Sequence, residues 1–279
     1  MTLIHILGSA SCFPSKLQKG RKPAGYLVTW GKTRLLLDCS QGIAERLEKI
    51  GIRPDEIAHC AISHAHPDHF ALPQFLQSSL CSRMLQPGFS WDDPKTFSEL
   101  NLYAGKHITK YVSILHKIYF EETVTVKSAG LPFPILHTHT LPSEQSIELP
   151  EGAKLQGFRV HHGFGKVDAL AFRLTLSDGT IIVYSGDTGM CDGLISASQN
   201  ADIFICEAGS RIGDTAQARE YGHLTPRQSG EVAAQAGVKT IVLTHYVGFN
   251  TPSDMKKDCR LSGFEGKIVV ATDGMKIKV

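Results

Sequence analysis

Four apolar, strand-like segments lie far apart in the chain, and each ends on histidine or aspartate. This restricts the available folds more than any other feature. The first, EIAHCAIS (56–63), runs straight into HAHPDH (64–69). The others are KLQGFRV (154–160) followed by HHG (161–163), IIVYSGD ending at Asp187, and KTIVLTH ending at His245. Short apolar runs bounded by turn residues read as strands. The fold must therefore carry several strand ends to one rim, where a rigid scaffold can hold metal ligands.

The cluster at 64–69 contains three histidines and one aspartate. His64 and His66 are two apart, so an extended loop turns both rings to one side. Pro67 bends the chain, which aims Asp68 and His69 at a second point. One ion can take His64 and His66, and a neighbour can take Asp68 and His69. Imidazole and carboxylate without thiolate suit zinc, manganese or iron held with open positions for chemistry, whereas a structural zinc site more often recruits cysteine. Downstream, His161 or His162, Asp187 and His245 supply the remaining ligands. Asp187 is the only carboxylate among those three and can bridge both ions.

The other segments continue the pattern. TLIHILG (2–8), GYLVTW (25–30) and TRLLLDC (33–39) are predicted strands, the last two joined at Gly31-Lys32. LNLYA (100–104), ADIFICEA (201–208), KIVVAT and MKIKV are further strands, and 169–187 is a hairpin turning at Ser177-Asp178-Gly179. Helices are predicted over 44–51, from 70 to a break at Pro87-Gly88, over 106–119 and over 226–236. Strands dominate each half with helices between, which suits two packed mixed sheets covered by helices. No repeat or linker divides residues 1–279, so they read as a single domain, with 81–154 as a cap or insertion within it.

With 279 residues, 42% hydrophobic and 20% charged, the chain can build a core without a structural metal. A metal is then there for chemistry. The net charge of +2 gives no field strong enough to select nucleic acid or membrane by itself. The one dense basic stretch, SKLQKGRK (15–22), reads as a solvated loop or a rim for an anionic substrate. Seven scattered cysteines without a CxxC pair read as reduced thiols, with Cys39 and Cys206 buried, and point to the cytoplasm. The first residues show no signal-peptide pattern, and no run of about 18 apolar residues occurs.

GHLTPRQSGEVAAQAG (222–237) holds a second constellation. Thr225 is an N-cap, Pro226 a first helical residue, Gln228 completes a capping box and Gly237 closes the helix. His223 thus precedes a helix N-terminus, where free N–H groups and the dipole favour an anion. His137 and His139 share one face of a strand and read as surface residues.

Taken in order, LGSASCFP (7–14), LLLDCSQG (35–42), ISHAHPDHF (62–70), VHHG, YSGDTG, ICEA, GHLTP and VLTHY resemble the metallo-β-lactamase superfamily. The chain looks most like its ribonuclease Z-type branch. The resemblance implies a four-layer αββα sandwich. It also implies a binuclear hydrolase, two divalent ions (zinc, with manganese or iron as alternatives) and a homodimer. His64, His66 and one of His161 and His162 would hold the first metal. Val-x-His-Gly is common there and favours His162. Asp68, His69 and His245 would hold the second, and Asp187 would bridge. Two such ions roughly 3.5–4 Å apart lower the pKa of a shared water, so a bridging hydroxide attacks the substrate, with Asp68 among the catalytic groups. His223 would protonate the leaving oxygen or clamp the phosphate, and Glu207 would hold its ring.

That resemblance implies a phosphodiester substrate, either RNA or a small molecule. Ribonuclease Z proper carries a tRNA-gripping arm between the third metal histidine and the bridging aspartate. Here residues 163–186, 24 in all, separate His162 from Asp187, too few for an arm. The family's usual tail is also absent, and Leu224-Thr225 replaces another polar pair after His223. A small phosphodiester fits this layout better than tRNA. The rival enzyme is a lactonase, β-lactamase or thioester hydrolase with the same metals, for which His223 would be dispensable. A non-catalytic binding protein on this fold would lack ligands, and none is missing from the sequence.

Overall fold

A computed structural model describes residues 2–12, 15–91, 93–121, 135–141 and 146–279. Among these described residues, fourteen strands form two seven-stranded sheets. In sheet one, β1 (Leu3–Gly8), β2 (Gly25–Trp30) and β3 (Thr33–Leu37) form an antiparallel meander. β4 (His59–Ile62), β5 (Glu99–Ala104) and β6 (Ile135–Thr140) continue it in parallel. Sheet two mirrors this plan. β7 (Ser146–Glu148), β8 (Lys154–Arg159), β9 (Leu170–Thr175) and β10 (Ile181–Tyr184) pair antiparallel. β11 (Ile203–Glu207), β12 (Thr240–Thr244) and β13 (Lys267–Val270) add in parallel to β10. The last strand, β14 (Lys276–Lys278), crosses back and pairs with β1.

Three apolar layers follow from strand alternation. Tyr26, Val28, Leu35, Leu155, Phe172 and Tyr184 point between the sheets, each burial worth about 1.5–3 kcal/mol. Leu27, Leu36 and Cys60 point outward, under α2 (Ile43–Lys49), α3 (Leu72–Met84) and α4 (Lys106–His116). Ala171, Val183, Phe204 and Ile241 do the same on sheet two, under α5 (Asp192–Ser198), α7 (Pro226–Gln235) and α8 (Pro252–Arg260). The remaining helices are α1 (Ser15–Gln18) and α6 (Thr215–Tyr221). The result is the expected αββα sandwich. All seven cysteines are free, and Cys39 and Cys206 are buried.

Some elements differ from expectation. The helix expected over 106–119 stays α-helical to His116 and then widens into a π turn, Lys117–Glu121. Two stretches of the expected cap at 81–154 are strands of sheet one, β5 and β6. Residues 92, 122–134 and 142–145 of that span lie outside the described residues. Residues 163–186 hold a tight turn and the β9–β10 hairpin, so nothing arm-like leaves the body there. No described helix is long and apolar enough to cross a membrane.

Candidate metal centre

The C-terminal ends of β3 and β4 in one sheet, and of β8, β10, β11 and β12 in the other, meet along the seam between the sheets. Sheet one delivers Asp38 and the loop His64–His69. Sheet two delivers His162, Asp187, Glu207 and His245. Every residue of the expected ligand set comes to this seam.

Four groups of facing atoms result among the described residues, two of them built from the expected ligands alone and two that include His223. In the first, His66 Nδ1 lies 3.0 Å from His64 Nε2 and 3.1 Å from His162 Nε2. Asp187 Oδ2 lies 3.9 Å from the Nε2 atoms of His64 and His162. In the second, His69 Nε2 and His245 Nε2 are 3.2 Å apart, each 3.3 Å from Asp187 Oδ1. Asp68 Oδ2 is 3.5 Å from the former and 3.4 Å from the latter. Asp187 thus turns one oxygen to each of these two groups. His161 is exposed, and its backbone pairs with Gly189 instead.

The donors fit divalent cations on three counts. Ligands about 2.1 Å from one ion in a tetrahedral shell sit about 3.4 Å from each other, close to the spacings above. The buried Asp187 Oδ1 has no hydrogen-bond partner, a costly state unless a cation meets it. Three carboxylates, Asp38, Asp68 and Asp187, crowd one site, and no lysine or arginine pairs with them among the described residues. In the bare protein histidine protons balance that charge: burial opposes a charged His69, but Asp187 and Asp38 raise its pKa well above the ordinary value. Burial also disfavours ionised Asp187 and Asp68, but His245 and His69 hold both far below the carboxylate range. Burial and the neighbouring His69 push His64 down, and burial lowers His162 against the pull of Asp187. Those two rings are neutral, as ligands must be.

A second ring of contacts fixes the tautomers. His69 Nδ1 donates to Asp38 Oδ2 at 2.6 Å, and His162 Nδ1 donates to the Gly222 carbonyl at 2.9 Å. His64 Nδ1 contacts Ser63 Oγ at 3.0 Å, whose own proton goes to Asp38 Oδ2 at 2.9 Å. Each such bond leaves the opposite nitrogen lone pair facing inward. Asp38 and His245 both hold left-handed backbone, φ 57° and 54°, a strained conformation for non-glycine residues that clusters at functional sites.

His223 and Glu207 meet as the sequence led us to expect. His223 Nδ1 donates to Glu207 Oε1 at 2.7 Å, and its ring lies 4.9 Å from that of His162. Glu207 is fully buried and also accepts from the backbone N–H groups of Thr188, Gly209 and Leu224. Burial works against a charged His223, but the Glu207 carboxylate prevails and raises it to about 9. Thr225 and Gln228 form the capping box of α7.

Other candidates fall elsewhere. Both His137 and His139 lie on the edge strand β6, where His137 is exposed beside Glu99 and His139 bonds Asn101 of β5. Arg21 and Lys22 from the basic stretch line a cleft of about 600 Å³ that also contains Asp68. A second cleft, about 950 Å³, opens beside the metal loop at Pro67 and Phe70 and is walled by Leu115, Tyr119 and Phe120 from the span 81–154. Asp38 is the site residue the sequence left without a role. Its signal was LLLDC, an apolar strand ending on aspartate as IIVYSGD does.

Comparison with known proteins agrees with this geometry. The family described as beta-lactamase superfamily domain matches residues 33–246. A ribonuclease Z from Streptomyces avermitilis is 25% identical, the alignment covering 98% of this chain and 96% of that protein. The metallo-β-lactamase fold protein YhfI from Bacillus subtilis superposes with a TM-score of 0.76 at 20% identity, over 99% of this chain and 98% of the other. The short form of human tRNase Z gives 0.72 at 20% identity, over 99% of each chain. The chain belongs to the metallo-β-lactamase superfamily, in its ribonuclease Z-like branch, and is a metal-dependent hydrolase.

Proposed function

We propose that this hydrolase is a phosphodiesterase, acting on RNA or a smaller phosphodiester with two zinc ions bound at the seam. His64, His66 and His162 would hold one ion and Asp68, His69 and His245 the other, and Asp187 would serve both. Such ions supply Lewis acidity and make water nucleophilic at neutral pH. The chain's own groups do the rest. Asp38, Ser63 and the Gly222 carbonyl hold the ligand rings in place. Asp68 turns Oδ2 to His69 and His245, which leaves Oδ1 to accept a hydrogen bond from the attacking water and orient it. His223, with Nδ1 committed to Glu207, offers the proton on Nε2 to the leaving oxygen.

The observation that carries the phosphodiester reading is the His223–Glu207 pair at 2.7 Å beside the His162 ring. A poor alkoxide leaving group needs such a proton. A thioester, which expels a stable thiolate, does not need this pair, and turnover in a substrate panel separates lactones and β-lactams. The similarity to ribonuclease Z over nearly the whole chain adds support. The test is a panel of bis-p-nitrophenyl phosphate, cyclic nucleotides, pre-tRNA, lactones and nitrocefin on zinc-loaded wild type and His223→Ala. Phosphodiester turnover that falls in His223→Ala is expected. Lactone or nitrocefin turnover without any phosphodiester turnover would refute the reading.

A further inference from the structure

Residues 163–168 link the metal centre to a groove that the mechanism above does not use. The groove, about 440 Å³, runs between the N-terminal turn of α4 and this loop. Lys106, Lys110, Arg159 and Lys166 line it, against the single carboxylate of Asp168. Four cations less one anion give +3, more than the +2 of the entire chain. Asp168 is already engaged, with Oδ2 accepting from the His107 backbone N–H at 2.8 Å and Oδ1 facing Arg159 at 3.3 Å. Among the described residues no acidic side chain forms an ion pair with Lys106, Lys110 or Lys166. Cations gathered without acidic partners repel one another, and an anionic ligand relieves that repulsion.

Where the loop leaves the metal centre it presents an aromatic side chain. Gly163, Phe164 and Gly165 have successive φ values of 55°, 57° and 72°. A bulky residue rarely adopts this left-handed backbone. Here it leaves Phe164 57% exposed, with its ring 5.2 Å from that of Tyr221, itself 43% exposed, at 85°. Gly163 N–H donates to the Tyr221 carbonyl at 3.1 Å, which ties the two segments together. Phe164 is two residues from His162, and Tyr221 is two residues from His223. The aromatic pair therefore sits on the two segments that carry a metal ligand and the proton donor, and Gly165 and Lys166 carry the first of them into the basic groove.

Stacking faces beside a cationic track are the two elements by which proteins hold single-stranded nucleic acid without reading its sequence. We propose that Phe164 and Tyr221 stack a base next to the scissile phosphate, and that the groove of Lys106, Lys110, Arg159 and Lys166 takes the phosphates of the strand beyond it. This rests on the phosphodiesterase reading and narrows it, because the substrate is then a strand several nucleotides long rather than a mononucleotide. It also places a nucleic-acid handle on a chain that has no room for an arm between His162 and Asp187.

The test separates binding from cleavage. Anisotropy of a fluorescein-labelled phosphorothioate single strand of about ten nucleotides is measured against salt for wild type, for Lys106→Gln/Lys110→Gln/Lys166→Gln and for Phe164→Ala/Tyr221→Ala. Lys256→Gln/Lys257→Gln/Lys267→Gln, on α8 and β13, removes the same charge outside the groove. Loss of three phosphate contacts should reduce the slope of log affinity on log salt by about 2, and the control should not. The aromatic variant should bind roughly 5- to 150-fold more weakly with its slope kept. In parallel, the ratio of kcat/KM for an oligoribonucleotide to that for bis-p-nitrophenyl phosphate should fall at least tenfold in the lysine variant. Groove variants that bind like the control overturn the proposal, as does preference for duplex over single strand. Failure to hydrolyse any phosphodiester with strand binding intact overturns the phosphodiesterase reading instead.

Discussion

Asp38 shows how much of the site depends on a residue that faces no substrate. Its buried carboxylate accepts from the Ser63 backbone at 2.7 Å, from Ser63 Oγ, from Tyr184 and from His69 Nδ1. Asparagine tolerates the same left-handed backbone, so Asp38→Asn removes charge without new strain. Metal affinity, followed by competition with a chelating dye, should weaken about 10- to 100-fold; an unchanged affinity would show that His69 needs no such support. His223 is open to a different check. If it protonates the leaving oxygen, His223→Ala should cost about 10²–10⁴-fold with a nucleoside leaving group and distinctly less with p-nitrophenolate, which departs without a proton. Equal losses for both would point to phosphate clamping instead. At this scale the sequence was legible where ligand types follow a strand. It was silent on orientation. β8 ends at Arg159, so His161 and His162 lie past the strand whose alternation would have told them apart. Likewise nothing in LLLDC says that its aspartate faces a histidine rather than an ion.

Among the elements, strands and the capped helix α7 were readable because alternation and the capping box are local signals. Helices α5, α6 and α8 were not. Of the nine residues of α8 only Met255, Asp258 and Cys259 are buried, too few to draw an apolar stripe. α6 spans seven residues and buries only Ala218, yet its end positions the centre. Gly222 closes it with φ 74°. A Cβ there would stand 2.7 Å from both the His161 carbonyl oxygen and His162 Cα. Gly222→Ala combines left-handed strain with that overlap. It should lower stability by about 1–3 kcal/mol and displace His162 and His223 together. Urea denaturation and metal stoichiometry would register this; wild-type values in both would mean that the turn has slack the structure does not show.

For the molecule as a whole, the decisive property is that neither sheet holds a complete centre. Sheet one gives His64, His66, Asp68 and His69, and sheet two gives His162, Asp187 and His245. Ions that bind only the assembled seam stabilise it by about 2.7 kcal/mol at a hundred times their dissociation constant, a rise of roughly 5 °C or more in melting temperature. Calorimetry with zinc and with EDTA measures this, and coincident melts would count against ligation across the sheets. The seam also acts as a gauge. One residue of slip along a strand is about 3.3 Å, nearly the 3.2 Å that separates His69 from His245 across the two sheets. A sandwich misaligned by a single step has no centre at all, so ion affinity measures how truly its two halves are registered. Side chains such as Phe172 and Leu155, packed between the sheets and touching no ion themselves, thereby become part of the tolerance to which the chemistry is machined.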